Sequence, residues 1–328
     1  MNVLVTGGAG FIGRPVRDQL TAVGHTARIF DRADDERDDI LDHDRLWLAA
    51  RGCEAVIHLA AKVGLGVDIS DIDEYALQND VGTATALRVA AERGISRFVY
   101  ASSMVVYGEG NYRCRRHGSV RPPPRTRSDL DTRRFDPRFP YCGDDLVPGL
   151  VRESAPLDPR NAYAATKVHG EQLAAVWSRE TGGAVAALRF HNVYGPGMPR
   201  DTPYAGVASI FTDSLLHGEA PRVFEDGCQR RNFVHVADVA AAVVAALDAP
   251  LPAGVTPLNI GTPWVTTVGD MATQLSRMLG GPAPLVTGAY RLGDVRHITA
   301  DCSMAERVLG WRARIELASG LADLSVKG

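Results

Sequence analysis

The chain has 328 residues, a net charge of −3 and 23% charged side chains, which is an ordinary composition for a globular protein. This balance gives no electrostatic footprint for nucleic acid or for an anionic membrane surface, so we expect neither as a partner. The longest apolar run, 239–247, is too short to span a bilayer. Five scattered cysteines, and a first strand with no signal peptide before it, predict a cytoplasmic location.

A glycine-rich turn joins the first two predicted elements. Residues 2–6 form a predicted buried strand, and an amphipathic helix follows up to about Val23. Gly7 allows a tight turn, Gly10 lets the backbone approach a pyrophosphate, and Gly13 lets the helix pack on the strand. The helix N-terminus offers N–H donors and a positive dipole end to phosphates. This context predicts a dinucleotide site at Gly7, Gly10, Phe11, Ile12 and Gly13.

The second predicted strand, 26–30, ends at Asp31, eighteen residues after Gly13. A carboxylate there accepts hydrogen bonds from the adenosine ribose hydroxyls and repels a 2′-phosphate, so it favours NAD as the cofactor over NADP. Arg32 works against this preference, because an arginine at the same strand end can receive the phosphate. We expect both residues to lie at the cofactor, with NAD preferred.

Further strand-like runs at 55–59, 97–101 and 184–188 are separated by helical segments. Such alternation predicts an α/β fold, a doubly wound parallel sheet of the Rossmann type that binds ligands beyond the carboxyl ends of its strands.

The predicted sheet divides the chain into two domains. Residues 1–188 would form the Rossmann-type domain, with an insertion at 110–150, and residues 189–328 a smaller α/β substrate domain. Within the second domain, the segment 232–262 is expected to pack back on the first.

The loops after the later strands carry candidate cofactor and substrate contacts. His58 is expected to be a packed strand residue, not a ligand. Ser102 and Ser103 place two hydroxyl groups at the carboxyl edge of the sheet. Small apolar residues, suited to backbone that packs close to a cofactor, follow the third strand: Leu59, Ala60 and Ala61.

The insertion at 110–150 is rich in arginine, proline and aspartate and has little periodicity, which predicts loop structure with a functional role. It carries Cys114, His117 and Cys142, three soft ligands whose spacing suits part of a zinc site. Because a fourth ligand is missing, the sequence favours a loop with free thiols, and no metal is assigned.

The segment 161–167 carries the clearest chemical signal. In a helix, Tyr163 and Lys167 share one face, and an ammonium beside a phenol lowers the phenol pKa from about 10 toward the range useful for proton transfer. A chance pairing at this spacing is rare, because the chain has only three lysines. The alternative is a surface helix with an aromatic residue and a salt-bridging lysine.

The C-terminal part offers candidate anion contacts. Arg231 and Arg291 lie at predicted irregular or strand-end positions, where planar guanidinium groups can clamp a diphosphate. Taken singly, each is more often a surface charge. A helix is predicted at about 205–217, and an alanine- and valine-rich helix at about 237–248 is expected to be core packing.

In their order along the chain, these motifs resemble those of the extended short-chain dehydrogenase/reductases, specifically the nucleotide-sugar epimerase/dehydratase family. The family resemblance covers nearly the whole chain except 110–150. A closer likeness, to dTDP-L-rhamnose 4-epimerase-like proteins, rests on Ala60 to Gly64, Ser102 to Gly110, the cysteine loop of the insertion and Val223 to Gly227. The family resemblance rests on the glycine turn, Leu59-Ala60-Ala61, Ser102-Ser103, the Tyr163/Lys167 pair, Arg189 to Pro196, and Arg231 to Asp238.

The resemblance implies a role for each matching residue. Ser103 would hydrogen-bond the reacting sugar hydroxyl, Tyr163 would act as base and acid, and Lys167 would hold the nicotinamide ribose and lower the tyrosine pKa. Asn79 and Ser102 would lie at the cofactor. The implied contacts of a nucleotide-diphosphate sugar are Ser103, Met104, Asn192, Arg231, Arg291 and Asp294.

The residues after the catalytic hydroxyl discriminate between the reactions of the family. Its 4,6-dehydratases carry Asp-Glu there and its decarboxylases a Glu, whereas this chain has Met104 and Val105, which cannot shuttle protons. What remains is C4 epimerisation through a transient 4-keto sugar, or reduction of a 4-keto sugar. Asp31 favours a tightly held NAD that is recycled, and hence a 4-epimerase of a dTDP-deoxysugar or a UDP-sugar.

Two alternatives stay open at this point. The first is an NAD(P)H-dependent ketoreductase of 4-keto-deoxysugars, which would use the same serine, tyrosine and lysine. The second is a non-catalytic NAD-binding sensor, although such proteins typically lose the tyrosine–lysine pair. The resemblance also implies a homodimer, in which the helices at about 71–93 and 161–181 of each subunit form a bundle.

Overall fold

The computed structural model describes residues 1–64, 69–199 and 206–325. In these ranges the strands are β1 (Asn2–Thr6), β2 (Thr26–Phe30), β3 (Ala55–His58), β4 (Arg97–Ser103), β5 (Asn111–Cys114), β6 (Gly118–Val120), β7 (Val147–Gly149), β8 (Ala184–Phe190), β9 (Asn192–Tyr194), β10 (Arg222–Val223), β11 (Arg230–Arg231), β12 (Phe233–His235), β13 (Gly254–Ile260), β14 (Thr266–Thr267) and β15 (Leu285–Val286). The α-helices are α1 (Gly13–Ala22), α2 (His43–Ala49), α3 (Ile72–Tyr75), α4 (Gly82–Glu92), α5 (Arg127–Asp131), α6 (Ala162–Thr181), α7 (Val207–Leu216), α8 (Val236–Asp248), α9 (Val268–Leu279), α10 (Ser303–Leu309) and α11 (Leu317–Ser325).

Six parallel strands form the central sheet, in the order β13-β8-β4-β3-β1-β2. The inner strands consist largely of buried apolar residues because helices cover both faces, as is typical of a parallel sheet in an α/β protein. One face packs against α1 and α8, and the other against α2, α4 and α6. The predicted α/β, doubly wound fold is confirmed.

The strand register aligns the carboxyl ends at one edge of this sheet. Thr6 lies opposite both Phe30 and His58, and Ser103 lies opposite Phe190. The strand order reverses between β1 and β3, so this edge contains the switch point at which doubly wound sheets bind ligands. The loops that the sequence predicts to contact cofactor and substrate therefore begin at this same edge of the sheet.

His58 is a packed strand residue, as predicted. Its Nδ1 lies 2.7 Å from the hydroxyl oxygen of Thr6, and its Nε2 lies 3.1 Å from that of Thr83. Burial lowers the pKa of His58 to about 3, so the ring is neutral at physiological pH.

After β9, α7 and β10–β12, which lie outside the central sheet, the chain returns to that sheet. Helix α8 packs beside α1, and β13 pairs in parallel with β8 along its whole length. A separate core is formed by α7, α9 and α11. The division into domains 1–188 and 189–328, with segment 232–262 packed back on the first, stays a prediction.

The insertion has more regular structure than its composition suggests. Where the sequence predicted a loop over 110–150, the structure has a three-stranded antiparallel sheet, β6-β5-β7, and the short helix α5. Tyr112, Cys114 and Leu146 form its small core. The three strands have three or four residues each, which is too short for an alternating pattern to be recognised in the sequence.

The two helices expected to carry the site and the subunit contact are present. Asn161 caps the N-terminus of α6, because its side chain accepts a hydrogen bond from the Ala164 N–H at 2.8 Å, and Gly182, with φ +74°, caps the C-terminus. Helices α3 and α4 are joined by a π-helical segment, Ala76–Val81, into one continuous run. Within the described ranges, no helix is long and apolar enough to cross a membrane.

Candidate active site

Two glycines in the turn after β1 are required by close backbone contacts. Gly7 has φ +71°, and a Cβ there would lie 2.6 Å from the amide nitrogen of Ala60. A Cβ at Gly13 would lie 2.2 Å from the Gly7 carbonyl oxygen, so only glycine lets α1 pack this closely. Gly10 is exposed. The turn therefore presents bare backbone at the sheet edge, which fits the pyrophosphate of a dinucleotide.

The start of α1 is open to an anion. Neither a side-chain cap nor an acidic residue lies in its first turn, which follows directly on Phe11 and Ile12. The first N–H groups of a helix have no intrahelical partner, and they carry the positive end of the helix dipole. The phosphates of NAD fit this position because they satisfy both features.

Asp31 and Arg32 take different roles at the end of β2. The Asp31 carboxylate accepts hydrogen bonds from the backbone N–H groups of Ala9 at 3.0 Å and Ala33 at 2.9 Å, so it also braces the glycine turn. Arg32 is exposed and pairs with Asp39 at 3.4 Å. The carboxylate is thus fixed in place, whereas the arginine points toward another acid.

Asn79 lies in the π-helical segment and is almost fully buried. Its side chain accepts a hydrogen bond from the Lys62 N–H at 2.8 Å, and donates to the Lys62 carbonyl oxygen at 2.9 Å and to Thr166 Oγ1 at 3.0 Å. π-helical segments are frequent at functional sites. Through these bonds Asn79 ties to α6 the loop that contains Leu59, Ala60 and Ala61.

A serine, a tyrosine and a lysine converge beyond β4. Ser103 ends this strand, and a hydrogen bond links its side chain to Tyr163. Lys167, one turn further along α6, donates to the Ala101 carbonyl oxygen at 2.8 Å. Its ammonium nitrogen lies 5.7 Å from the centre of the Tyr163 ring. Hydroxyl, phenol and ammonium therefore form one cluster at the ligand-binding edge.

Burial shifts the pKa values of this cluster in opposite directions. It raises the pKa of Tyr163 to about 12, while the hydrogen bond with Ser103 lowers that pKa and the neighbouring Tyr75 raises it. Burial lowers the pKa of Lys167 to about 8, opposed by the charge of Asp80. The protein groups alone therefore do not produce the lowered tyrosine pKa expected from the sequence, because burial outweighs the hydrogen bond with Ser103.

A buried network that sequence reasoning missed lies behind the cluster. Ser102 donates to Glu171 Oε1 at 2.6 Å, and Glu171 accepts from Arg189 Nε at 2.9 Å and Nη2 at 2.6 Å. Arg189 also donates to the Tyr107 hydroxyl at 2.8 Å, which in turn donates to Asn259 Oδ1 at 2.7 Å. The network joins α6 to strands β4, β8 and β13.

Two predicted substrate contacts lie within two residues of strand ends. Met104 comes after Ser103, and Asn192 lies two residues beyond the end of β8. The side-chain oxygen of Asn192 is buried and has no hydrogen-bond partner among the described residues. Buried polar atoms are almost always paired, so this acceptor fits a donor on a bound ligand.

The predicted diphosphate contacts differ in how they are held. Arg231 donates to the carbonyl oxygen of the preceding residue at 2.8 Å and to those of residues 295–296 at 2.8 and 2.9 Å. Arg291 is exposed, with its guanidinium 5.4 Å from the Phe224 ring. Asp294 is half-buried, and burial raises its pKa. All three stay predicted substrate residues.

The insertion contributes Arg125 to a pocket beside these residues. Its side chain is 5% exposed and donates to Glu225 Oε1 at 2.8 Å and to the Asp294 carbonyl oxygen at 2.5 Å. Its Nε is buried and has no hydrogen-bond partner among the described residues. The pocket is lined by Glu109, Pro124, Arg125, Arg160, Leu292, Gly293, Asp294 and Val295. Nothing in the local sequence distinguishes Arg125 from the other arginines of the insertion.

Fold and site together define a Rossmann-type protein of the short-chain dehydrogenase/reductase kind, with a glycine turn after β1, an acid after β2 and a serine–tyrosine–lysine cluster beyond β4. The sequence model of the NAD dependent epimerase/dehydratase family matches residues 3–142 and 139–261. The chain belongs to this family, and NAD is therefore its cofactor.

Individual relatives match over almost the whole chain. The dTDP-L-rhamnose 4-epimerase of Burkholderia thailandensis is 33% identical, over 98% of this chain and 93% of the relative. The UDP-glucose 4-epimerase of Thermotoga maritima, solved with UDP-glucose, is 28% identical with a TM-score of 0.80, over 98% and 97% of the two chains. MoeE5, solved with UDP-glucuronic acid and NAD, is 29% identical with a TM-score of 0.79 and the same coverage.

Replacing Asp31 with alanine removes the carboxylate acceptor at the end of β2 and its hydrogen bond from the Ala9 N–H in the glycine turn. We expect NAD affinity, measured by calorimetry, to fall about 10- to 100-fold, since a hydrogen bond to a charged group contributes roughly 1.5–3 kcal/mol. Arg32→Ala is the matched control and should leave NAD affinity unchanged. A wild-type preference for NADP that disappears in Arg32→Ala would contradict this assignment.

Replacing Glu171 with glutamine leaves the buried Arg189 guanidinium without its counter-charge. We expect the free energy of unfolding in urea to fall by about 3–5 kcal/mol, the usual cost of breaking a buried ion pair. Glu180→Gln, at an exposed position of the same helix, should change it by less than about 0.5 kcal/mol. Equal effects of the two substitutions would show that the buried pair does not support the fold.

Proposed function

We propose that this protein is an NAD-dependent nucleotide-sugar 4-epimerase that acts on a dTDP-deoxysugar or a UDP-sugar. The observation that carries the proposal is the cluster of Ser103, Tyr163 and Lys167 at the ligand-binding edge, in a chain where no proton-shuttling residue follows Ser103. Such a site can perform hydride transfer with one acid–base group, and C4 epimerisation needs no more than that.

The proposed reaction runs through a 4-keto sugar. Tyr163 removes the proton from the C4 hydroxyl, and Ser103 donates a hydrogen bond to the same oxygen. When bound, NAD supplies the hydride acceptor for C4 and a positive charge near the phenol. The flat 4-keto sugar then turns about its diphosphate, which Asn192, Arg231 and Arg291 would hold. Hydride returns to the opposite face while Tyr163 returns the proton.

The pKa values in the protein suit a site that is activated by its cofactor. At neutral pH Tyr163, with a pKa of about 12, is protonated, and Lys167, with a pKa of about 8, is largely cationic. A second positive charge beside the phenol would lower the tyrosine pKa from this raised value, since nearby opposite charge favours the phenolate. Proton transfer would therefore begin only after the cofactor is in place.

Dehydration and decarboxylation are less well supported than epimerisation. The family unites epimerases and dehydratases, and the dehydratase reaction needs an acid and a base beyond the catalytic hydroxyl. Here Met104 and Val105, both half-buried, occupy those positions and carry no titratable group. Water elimination would lack its proton shuttle.

The second candidate function is an NAD(P)H-dependent ketoreductase, which would use the same cluster. The arrangement at the end of β2 favours the epimerase. Asp31 is braced by two backbone N–H groups, whereas Arg32, the residue a 2′-phosphate would need, pairs with Asp39. A non-catalytic sensor would not need a serine, a tyrosine and a lysine held together.

We also propose a cytoplasmic homodimer in which the run 72–92 and α6 form the subunit contact. Leu77, Val81 and Val176 are large apolar side chains that are 47–49% exposed on these helices. Apolar faces of this kind are typical of subunit contacts. The five cysteines are scattered along the sequence and suit a reducing compartment better than a disulfide framework.

A panel of dTDP-, UDP-, GDP- and CDP-sugars tests the reaction. Incubated with purified protein and no added cofactor, one of them should change its C4 configuration, as followed by NMR. If conversion occurs only when NADPH and a 4-keto sugar are supplied, the protein is a ketoreductase and the epimerase proposal is wrong.

Replacing Tyr163 with phenylalanine removes the acid–base group and leaves the ring in place. We expect kcat to fall by about 10²- to 10⁴-fold, the usual contribution of general acid–base catalysis, with KM little changed. Tyr141→Phe, at a side chain 86% exposed, is the matched control and should keep full activity. A Tyr163→Phe enzyme as active as this control would remove Tyr163 from the mechanism.

Replacing Arg125 with lysine keeps the positive charge but removes the planar guanidinium group from the lining of the pocket. We expect KM for the nucleotide sugar to rise about tenfold with a smaller change in kcat, because the lost contact is made in ground and transition states alike. Arg134→Lys, an exposed arginine of the same insertion, is the control. An unchanged KM in Arg125→Lys would place the substrate elsewhere.

A further inference from the structure

Three side chains of the insertion converge on one point outside the active site. Cys114 Sγ lies 3.3 Å from His117 Nδ1 and 3.6 Å from Cys142 Sγ, and the ligand atoms of the three lie within 4.8 Å of one another. Cys114 is fully buried, Cys142 is half-buried and His117 is exposed. The ligand atoms therefore meet at the border between the core of the insertion and solvent.

These distances suit a shared metal ion better than a disulfide. A sulfur–sulfur bond is about 2.05 Å long, much shorter than the separation of the two thiols. Around a tetrahedral zinc ion, with Zn–S bonds of about 2.3 Å and Zn–N bonds of about 2.05 Å, two sulfurs lie roughly 3.8 Å apart and a sulfur and a nitrogen roughly 3.6 Å apart. The two separations from Cys114 Sγ, 3.3 Å to His117 Nδ1 and 3.6 Å to Cys142 Sγ, are close to these tetrahedral edges.

The local backbone also suits thiolate ligands. Cys114 and His117 flank the turn between β5 and β6, where the backbone N–H groups of residues 116 and 117 donate to the Cys114 sulfur. Cys142 lies in a second tight turn, closed by the hydrogen bond from the Gly143 N–H to the Phe139 carbonyl oxygen at 2.8 Å. The Asp144 N–H donates to the Cys142 sulfur. Such donors stabilise negative sulfur, the form that binds metal.

We propose that Cys114, His117 and Cys142 bind one Zn²⁺ ion, with water on the exposed side as the fourth ligand. Two soft sulfurs and an imidazole select zinc over magnesium or calcium, which take oxygen ligands. The sequence analysis favoured free thiols because no fourth side-chain ligand is present. In the proposed site, that fourth coordination position of the ion is open to solvent. This inference is independent of the proposed reaction.

The ion would add a direct link between two parts of the insertion that already share a small apolar core. It links the β5–β6 hairpin to the turn before β7, so the small sheet would be held at its outer end. The same sheet reaches the substrate pocket at its inner end, where the Tyr112 hydroxyl donates to Glu109 at 3.0 Å. Zinc would therefore stabilise the structure that positions Arg125.

Metal analysis of the purified full chain by mass spectrometry, after dialysis against a weak chelator, tests the site. Wild-type protein and Cys228→Ser, a control at an exposed cysteine outside the cluster, should retain about one zinc ion per chain. Cys142→Ser should retain less than a tenth of that. Wild-type protein without zinc, or equal zinc content in both variants, would overturn the proposal.

Two further measurements test the site even if Cys142→Ser fails to fold. His117→Ala removes an exposed ligand and should fold, yet it should bind zinc at least tenfold more weakly than wild type in a chelator competition. Wild-type protein loaded with Co²⁺ should show thiolate-to-cobalt charge-transfer absorption. Loss of two hydrogens in the intact mass, placed at Cys114 and Cys142, would show a disulfide and contradict the metal site.

Discussion

The buried ion pair between Glu171 and Arg189 is the interaction on which the geometry of the site most depends. Their side chains are only 9% and 4% exposed, and the two ends meet in a bidentate contact. A charge buried to this degree is costly unless it is paired and hydrogen-bonded, so each group restricts the position of the other. The pair therefore fixes α6 against β8 at one distance and in one rotation.

The ion pair fixes the catalytic residues because they lie close to it along the chain. Helix α6 carries Lys167 one turn before Glu171, and Tyr163 one turn before that. On the neighbouring strand, Ser102 donates to Glu171, and the next residue is Ser103, which hydrogen-bonds Tyr163. The serine and the tyrosine thus approach each other from two elements that the same carboxylate holds together. Without Glu171 to hold α6 and β4 together, the contact between Ser103 and Tyr163 would be far less restricted.

The local parts of this structure follow from the sequence, and the long-range parts do not. The glycine turn, Asp31 and the Tyr163–Lys167 pair each depend on residues close together in the chain, and alternation of strands and helices predicts the sheet. Glu171 gives one weak signal, its position one helical turn beyond Lys167. Arg125 gives none, because its partner Glu225 lies one hundred residues away. Burial of Tyr163, which raises its pKa, likewise depends on how distant segments pack.

A crossover experiment tests the central claim, that hydride leaves and returns within one site. A nucleotide sugar deuterated at C4 would be mixed with the same sugar labelled only with carbon-13, and added to the enzyme with excess unlabelled NAD⁺ and NADH. Intramolecular return predicts that deuterium stays at C4 of the unlabelled-carbon molecules with inverted configuration, as read by NMR and mass spectrometry. Deuterium in the carbon-13 molecules or in the free NADH would contradict it.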